Sequence, residues 1–207
     1  MKTFIVDLWA TIFSGLRSIS IFHWMRKIFY PTRDNYVFTE TWVLANLGLV
    51  IALLFLFQQL TGTVVMTILL IYAAIRIFEI FIGQVNEVLF DAYRAKKGRQ
   101  PHAVPGIGRF VVLLLHNYVE IMLWYGLLYM NFNGSFFHGS EKLNTAVQVL
   151  GMSFNTMTTY GYANTFPIDR IGSTMIFSQS VIGLLMTLIL LARFISIITP
   201  AASRDEL

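Results

Sequence analysis

The chain of 207 residues contains no cysteine, which excludes disulfides, thiolate metal sites and thiol redox switches. Charge is nearly as scarce: Asp, Glu, Lys and Arg make up 13% of the residues, well below the roughly one quarter usual in soluble domains. Catalytic signatures are missing too. No Ser-His-Asp spacing and no His-Glu-x-x-His run occurs, and Gly106-Ile107-Gly108 lacks the further glycine and the strand context of a nucleotide-binding loop. Neither an enzyme nor a cofactor is expected.

What the chain has in abundance is apolar surface, with 56% hydrophobic residues. A bilayer core takes about 20 mostly apolar residues per helix. Four stretches qualify: Thr41 to Leu60, Thr63 to Ile82, Arg109 to Met130 and Gly172 to Ile198. The expected fold class is an all-α membrane protein with four transmembrane helices per subunit. The run from about Leu143 to Thr158 is too short to span, and fits a helix that enters the membrane and turns back. Non-helical backbone at that depth is tolerated only where protein or a wet cavity surrounds it.

Short loops rich in Lys and Arg stay on the cytoplasmic side. Lys2, Arg17, Arg26, Lys27 and Arg33 precede the first span, and Arg94, Lys96, Lys97, Arg99 and Arg109 lie between the second and third, whereas the Phe57 to Gly62 connection is uncharged. Both termini are therefore expected in the cytoplasm of a multi-pass protein of the plasma membrane. The net charge of +4 reflects this topology and not nucleic-acid binding. Arg94, Lys96, Lys97 and Arg99 are candidate contacts for anionic lipid.

Residues 1–40 form an N-terminal cytoplasmic or interfacial segment. Ile5, Leu8, Trp9, Ile12, Phe13 and Leu16 recur at helical spacing opposite Asp7, Thr11, Ser14 and Ser18, which suits a helix at the headgroups or one packed on the protein's own helices. Asp7 interrupts the apolar run that a signal peptide needs. Asn133-Gly134-Ser135 is a glycosylation sequon in form, with a plain turn as the favoured reading.

The second span carries Arg76 and Glu79, the third His116 and Glu120. One arginine is too few for a voltage sensor, since each charge gains only about 2.3 kcal/mol per 100 mV. Counted from the outer ends at about 1.5 Å per residue, Arg76 comes level with Glu120 and Glu79 with His116. Two intramembrane pairs are expected, forming a polar lock, with a proton-sensitive gate at His116 as the sharper alternative.

Between the last two spans runs Thr158-Thr159-Tyr160-Gly161-Tyr162-Ala163-Asn164, preceded by Ser153-Phe154-Asn155-Thr156-Met157. Pro167 lies six residues beyond Gly161, Gly172 eleven and Gly183 twenty-two. This pattern resembles the pore of tetrameric potassium channels, whose filter Thr-Val-Gly-Tyr-Gly replaces an ion's hydration shell with backbone carbonyls. Three of the five filter positions match, at Thr159, Gly161 and Tyr162, and the resemblance covers roughly Arg109 to Ile198.

The apolar and charge pattern sets two additional upstream helices within 41–93, a basic linker over 94–108 and a short cytoplasmic tail over 200–207; the resemblance implies a pore domain over residues 109–199. It implies a homotetramer, because one loop cannot enclose an ion and no internal repeat supplies the rest. Potassium, as permeant and not cofactor, would meet the carbonyls of Thr159, Tyr160, Gly161 and Tyr162, with Ala163 at the outermost site. Asn155, Thr158 and Asn164 would support the loop, with Asn155 a candidate partner for Asn164. Gly183 falls on the family's inner-helix hinge, close helix packing being the other reading.

Three positions depart from the family. Tyr160 replaces a valine, Asn164 an aspartate, and Ala163 a glycine, where an L-residue at positive φ costs roughly 1 to 2 kcal/mol. Potassium conduction is the function expected. A nonselective monovalent cation channel and a non-conducting regulatory membrane subunit are the alternatives.

Overall fold

The computed structural model describes residues 4–17, 20–29, 36–90, 93–94, 107–138, 145–161 and 165–198. Among them four helices are long and apolar enough to cross a membrane, at Val37–Phe55, Val64–Phe90, Val111–Asn131 and Arg170–Ala192. The protein is a predominantly α-helical, multi-pass membrane protein.

The first spanning helix, α3 (Tyr36–Phe55), starts five residues before the expected Thr41 and so takes in Glu40. That charge is tolerated because Arg109 donates to it through Nε at 2.8 Å, tying the start of α3 to the start of the third spanning helix. Helices α1 (Phe4–Arg17) and α2 (Ile21–Phe29) precede it. A one-turn helix, α4 (Phe57–Leu60), and Gly62 at φ +77° then reverse the chain. Helix α5 (Val64–Val85) opens on Thr63, whose hydroxyl accepts from the Met66 N–H at 3.1 Å, a side-chain cap for a donor with no helical partner. It continues as a π turn over Asn86–Phe90, beyond the expected end at Ile82.

Helix α6 (Ile107–Asn131) is the hub, packed against α3, α5, the short α7 (Ala146–Met157) and the last helix, α8 (Arg170–Ile198). Of its spanning stretch 56% is buried, against 22% for α8 (Arg170–Ile198), whose flank remains bare along Phe177, Leu184, Leu188 and Leu191. Beyond α6, a 3₁₀ turn at Asn133–Ser135 confirms the turn reading of that segment. It leads into β1 (Phe136–Phe137), antiparallel to β2 (Phe166–Pro167) with Phe136 opposite Pro167. The short helix α7 (Ala146–Met157) lies between these strands in sequence.

Helix α1 packs on α5 and the π turn. The Phe13 and Phe90 rings lie 5.3 Å apart, Asn86 Nδ2 donates to the Phe13 carbonyl at 2.9 Å, and Tyr93 donates to Asp7 at 2.9 Å. The other side, with Phe4, Ile5, Leu8, Trp9 and Ile12, stays exposed, so the helix has both a docked face and a bare apolar one. Arg94, expected at lipid headgroups, is engaged within the chain: it donates to the Ala10 carbonyl at 3.1 Å and to Asn86 Oδ1 at 2.7 Å. Lys96, Lys97 and Arg99 lie outside the described residues.

Candidate functional site

Helix α7 begins at a capping box. The Thr145 hydroxyl accepts from the Gln148 N–H at 3.3 Å while the Gln148 side chain accepts from the Thr145 N–H at 3.2 Å. Its 12 residues extend about 18 Å at 1.5 Å per residue, far short of a bilayer core of about 30 Å. Val149, Met152, Ser153, Thr156 and Met157 are buried, and the helix packs against α6 and α8.

The end of α7 is a full Schellman cap. Thr159 sits in the left-handed region at φ +60°, its N–H donates to the Thr156 carbonyl at 3.2 Å, and the Tyr160 N–H reaches back to the Asn155 carbonyl at 2.9 Å. Those bonds satisfy carbonyls that the helix end would otherwise leave unpaired. Glycine normally takes the left-handed position; a β-branched residue there is a true outlier, held at a cost of roughly 1 to 2 kcal/mol. The Thr159 hydroxyl bonds the Thr158 carbonyl at 2.7 Å, and the Thr158 hydroxyl the Phe154 carbonyl at 2.9 Å.

From Thr159 to Gly161 the backbone turns back on the end of α7. Tyr160 and Gly161 both donate to Asn155 O, at 2.9 and 3.2 Å, so the segment closes the helix before any extended run begins. Gly161 comes next at φ +79°. Asn155 supports the loop through its backbone carbonyl, while Tyr162, Ala163 and Asn164 lie outside the described residues. Tyr160 is 85% exposed, so within one chain its ring finds no packing.

Gly183 is buried and lies within the unbroken α8. A Cβ built on it would stand 2.3 Å from the Met157 carbonyl oxygen, so its place is a close crossing of helices. Tyr118 donates to that same carbonyl from α6 at 3.3 Å.

One turn earlier on α8, Gln179 is fully buried. Its Nε2 donates to Ser153 O at 3.0 Å and Ser153 Oγ at 2.7 Å, and its Oε1 accepts from Tyr129 at 2.5 Å. Ser153 passes its own proton to the Met122 carbonyl at 2.6 Å. Sequence reasoning missed these residues. The available signal was Gln179 itself, the single amide in the Gly172 to Ile198 stretch. Beside it, Ser178 accepts from Tyr125 at 2.9 Å.

A second polar cluster lies between α3, α5 and α6. Arg76 donates through Nε to Glu120 Oε1 at 2.7 Å, through Nη2 to Glu120 Oε2 at 3.1 Å, and through Nη1 to Glu79 Oε2 at 2.6 Å. Trp42 places its ring 5.8 Å from the guanidinium, and Trp124 Nε1 donates to Glu120 at 3.2 Å. Tyr72 donates to Asn46 and stacks edge-on against Trp124 at 5.6 Å.

The expected Glu79–His116 pair is not formed. Glu79 accepts from the Ser20 hydroxyl and from the Phe22 N–H at 2.6 Å, capping α2, while His116 Nδ1 turns to the Val112 carbonyl of its own helix at 2.8 Å. The nearer guanidinium and the free end of α2 satisfy the carboxylate, so the imidazole is not needed. Among the described residues no cluster of His, Asp and Glu suits a metal ion. Against protein-family models, curated proteins and solved structures, the chain finds no match.

Proposed function

We propose that the chain is one subunit of a homotetrameric channel that conducts potassium passively, with α7 as a re-entrant helix and Thr159, Tyr160, Gly161, Tyr162 and Ala163 lining the constriction. The observation that carries this reading is the placement of Thr158, Thr159, Tyr160 and Gly161. They stand exposed at the end of a helix too short to span, between two helices that do. Polar backbone cannot face lipid, so further protein has to surround it. Additional copies of the same loop about one axis supply both that cover and rings of carbonyl oxygens. The C-terminal end of α7 adds a negative partial charge that favours a cation.

The charge asymmetry of the loops supports cytoplasmic termini and an outer position for β1 and β2. The cap at Thr159 favours a second reading on one point: a constriction built from it holds fewer ordered carbonyls, which suits nonselective cation conduction.

Purified protein in liposomes, with potassium and sodium gradients compared, tests the proposal. Potassium should carry the larger flux, and Ala163→Gly should preserve or raise that preference. Equal permeabilities would move the choice to the nonselective channel, absence of flux from the chain alone to the regulatory subunit, and a monomer in mild detergent would defeat the assembly.

A further inference from the structure

Helices α7 and α8 meet through two contacts one turn apart on each. Gln179 bonds Ser153, and Gly183, four residues on, abuts Met157, four residues beyond Ser153. The first contact is polar and directional, the second steric. Together they fix both how far α7 slides along α8 and how closely it approaches.

The polar half is completely specified. Tyr129 gives its proton to Gln179 Oε1, both Gln179 amide protons go to Ser153, and Ser153 gives its proton to Met122 O. Tyr129, Ser153 and Gln179 are each fully buried. A buried amide with every donor and acceptor placed resists displacement, since any slide strands polar atoms where no water reaches them. Apolar packing alone carries no such directional penalty.

Ser153 and Met157 lead directly into Thr158 and Thr159. A shift of α7 by a fraction of a turn therefore moves the loop by the same amount, and rings of carbonyls discriminate between ions by their size and field. We infer that Gln179, acting through Ser153, is a positioning residue that sets the height of the Thr158–Gly161 segment and thereby the ion preference of the pore. The inference rests on the channel reading above and adds to it the residue that governs selectivity from behind the loop.

The test separates positioning from mere stability. Gln179→Met keeps the volume but removes the acceptor of the Tyr129 proton, so it should lower both the thermal stability of the solubilised assembly and the potassium preference. Adding Tyr129→Phe removes the hydroxyl that has lost this acceptor. The double variant should regain much of the stability while its potassium-to-sodium permeability ratio, read from reversal potentials in liposomes, stays about fivefold below the unmodified chain, roughly the discrimination of one net hydrogen bond. A double variant with the unmodified ratio overturns the inference and leaves the channel reading standing. If neither variant assembles, Gly183→Ala probes the steric half of the same register, and an assembled Gly183→Ala channel with unchanged selectivity overturns it equally. Unmodified protein that passes no potassium refutes the channel reading, and the inference with it.

Discussion

The Arg76 guanidinium holds the Glu120 carboxylate with two bonds, Nε to Oε1 at 2.7 Å and Nη2 to Oε2 at 3.1 Å, and turns its remaining edge to Glu79 at 2.6 Å. One cation thus serves two carboxylates, all three nearly or fully buried. Removing the cation strands both acids, whereas removing either acid strands no more than part of one charge. Arg76→Met should therefore be worse than Glu120→Gln, at the upper end of the about 3 to 5 kcal/mol typical of a broken buried pair. The double variant should lose less than the sum of the two. Thermal denaturation of the solubilised protein measures all three, and strictly additive losses would mean that the pair is not coupled.

Glu79 also fastens α2, through Ser20 and the Phe22 N–H. Replacing it with alanine should speed amide hydrogen exchange over residues 20–29 and leave α6 and α8 unchanged. Glu79→Gln, which keeps an acceptor, should have the milder effect. Exchange in α2 that does not respond to Glu79→Ala would show that the helix is held by its apolar contacts instead.

Thr159 occupies the left-handed region at φ +60°. Thr159→Gly removes the Cβ clash and should raise the thermal midpoint, by a gain of up to about 1 to 2 kcal/mol less the lost hydroxyl bond. A lowered midpoint would argue that the left-handed turn is not the conformation populated.

Two glycines on spanning helices give opposite expectations. Gly183 has the Met157 carbonyl oxygen 2.3 Å from any added Cβ, while Gly48 has nothing within 4 Å. Gly183→Ala should cost about 1 to 3 kcal/mol as overpacking against backbone, and Gly48→Ala should be neutral or favourable by up to about 1 kcal/mol through helix propensity. The paired thermal midpoints test the α7 to α8 crossing directly.

Asp169 precedes α8, and its carboxylate accepts from the Gly172 N–H at 2.8 Å. That bond, with the Ser135 hydroxyl, holds its pKa below the usual carboxylate value. A depressed folded value means that the cap supports the fold above the unfolded value of about 3.9 and is lost as pH falls through the folded value. Thermal midpoints recorded from neutral pH downwards should fall in that acid range, and less so in Asp169→Asn. Identical acid profiles would assign the loss to other carboxylates.

The four spans were legible because apolar length is a property of composition, and the level of Arg76 with Glu120 came from rise per residue alone. The start of α3 was not, because Glu40 looked like a boundary until Arg109 stood beside it. The partners of Glu79 were hidden for a related reason. A serine hydroxyl and a main-chain N–H nearly sixty residues away leave no trace in depth or charge. The loop motif marked the end of α7 and the irregular segment after it, yet the Schellman closure at Thr159 contradicts the usual demand for glycine and was invisible to residue type.

The π turn at Asn86–Phe90 behaves like a single inserted residue in the α5 ladder. Tightening that turn to α geometry with every residue kept would rotate everything downstream by about 100° around the axis, one residue's share of a 3.6-residue turn. Tyr93 and Arg94 would swing away from Asp7 and Ala10, and α1 would lose both anchors at once. The azimuth of the chain leaving the second span, and with it the seat of the N-terminal helix, is set by counting residues and not by their chemistry.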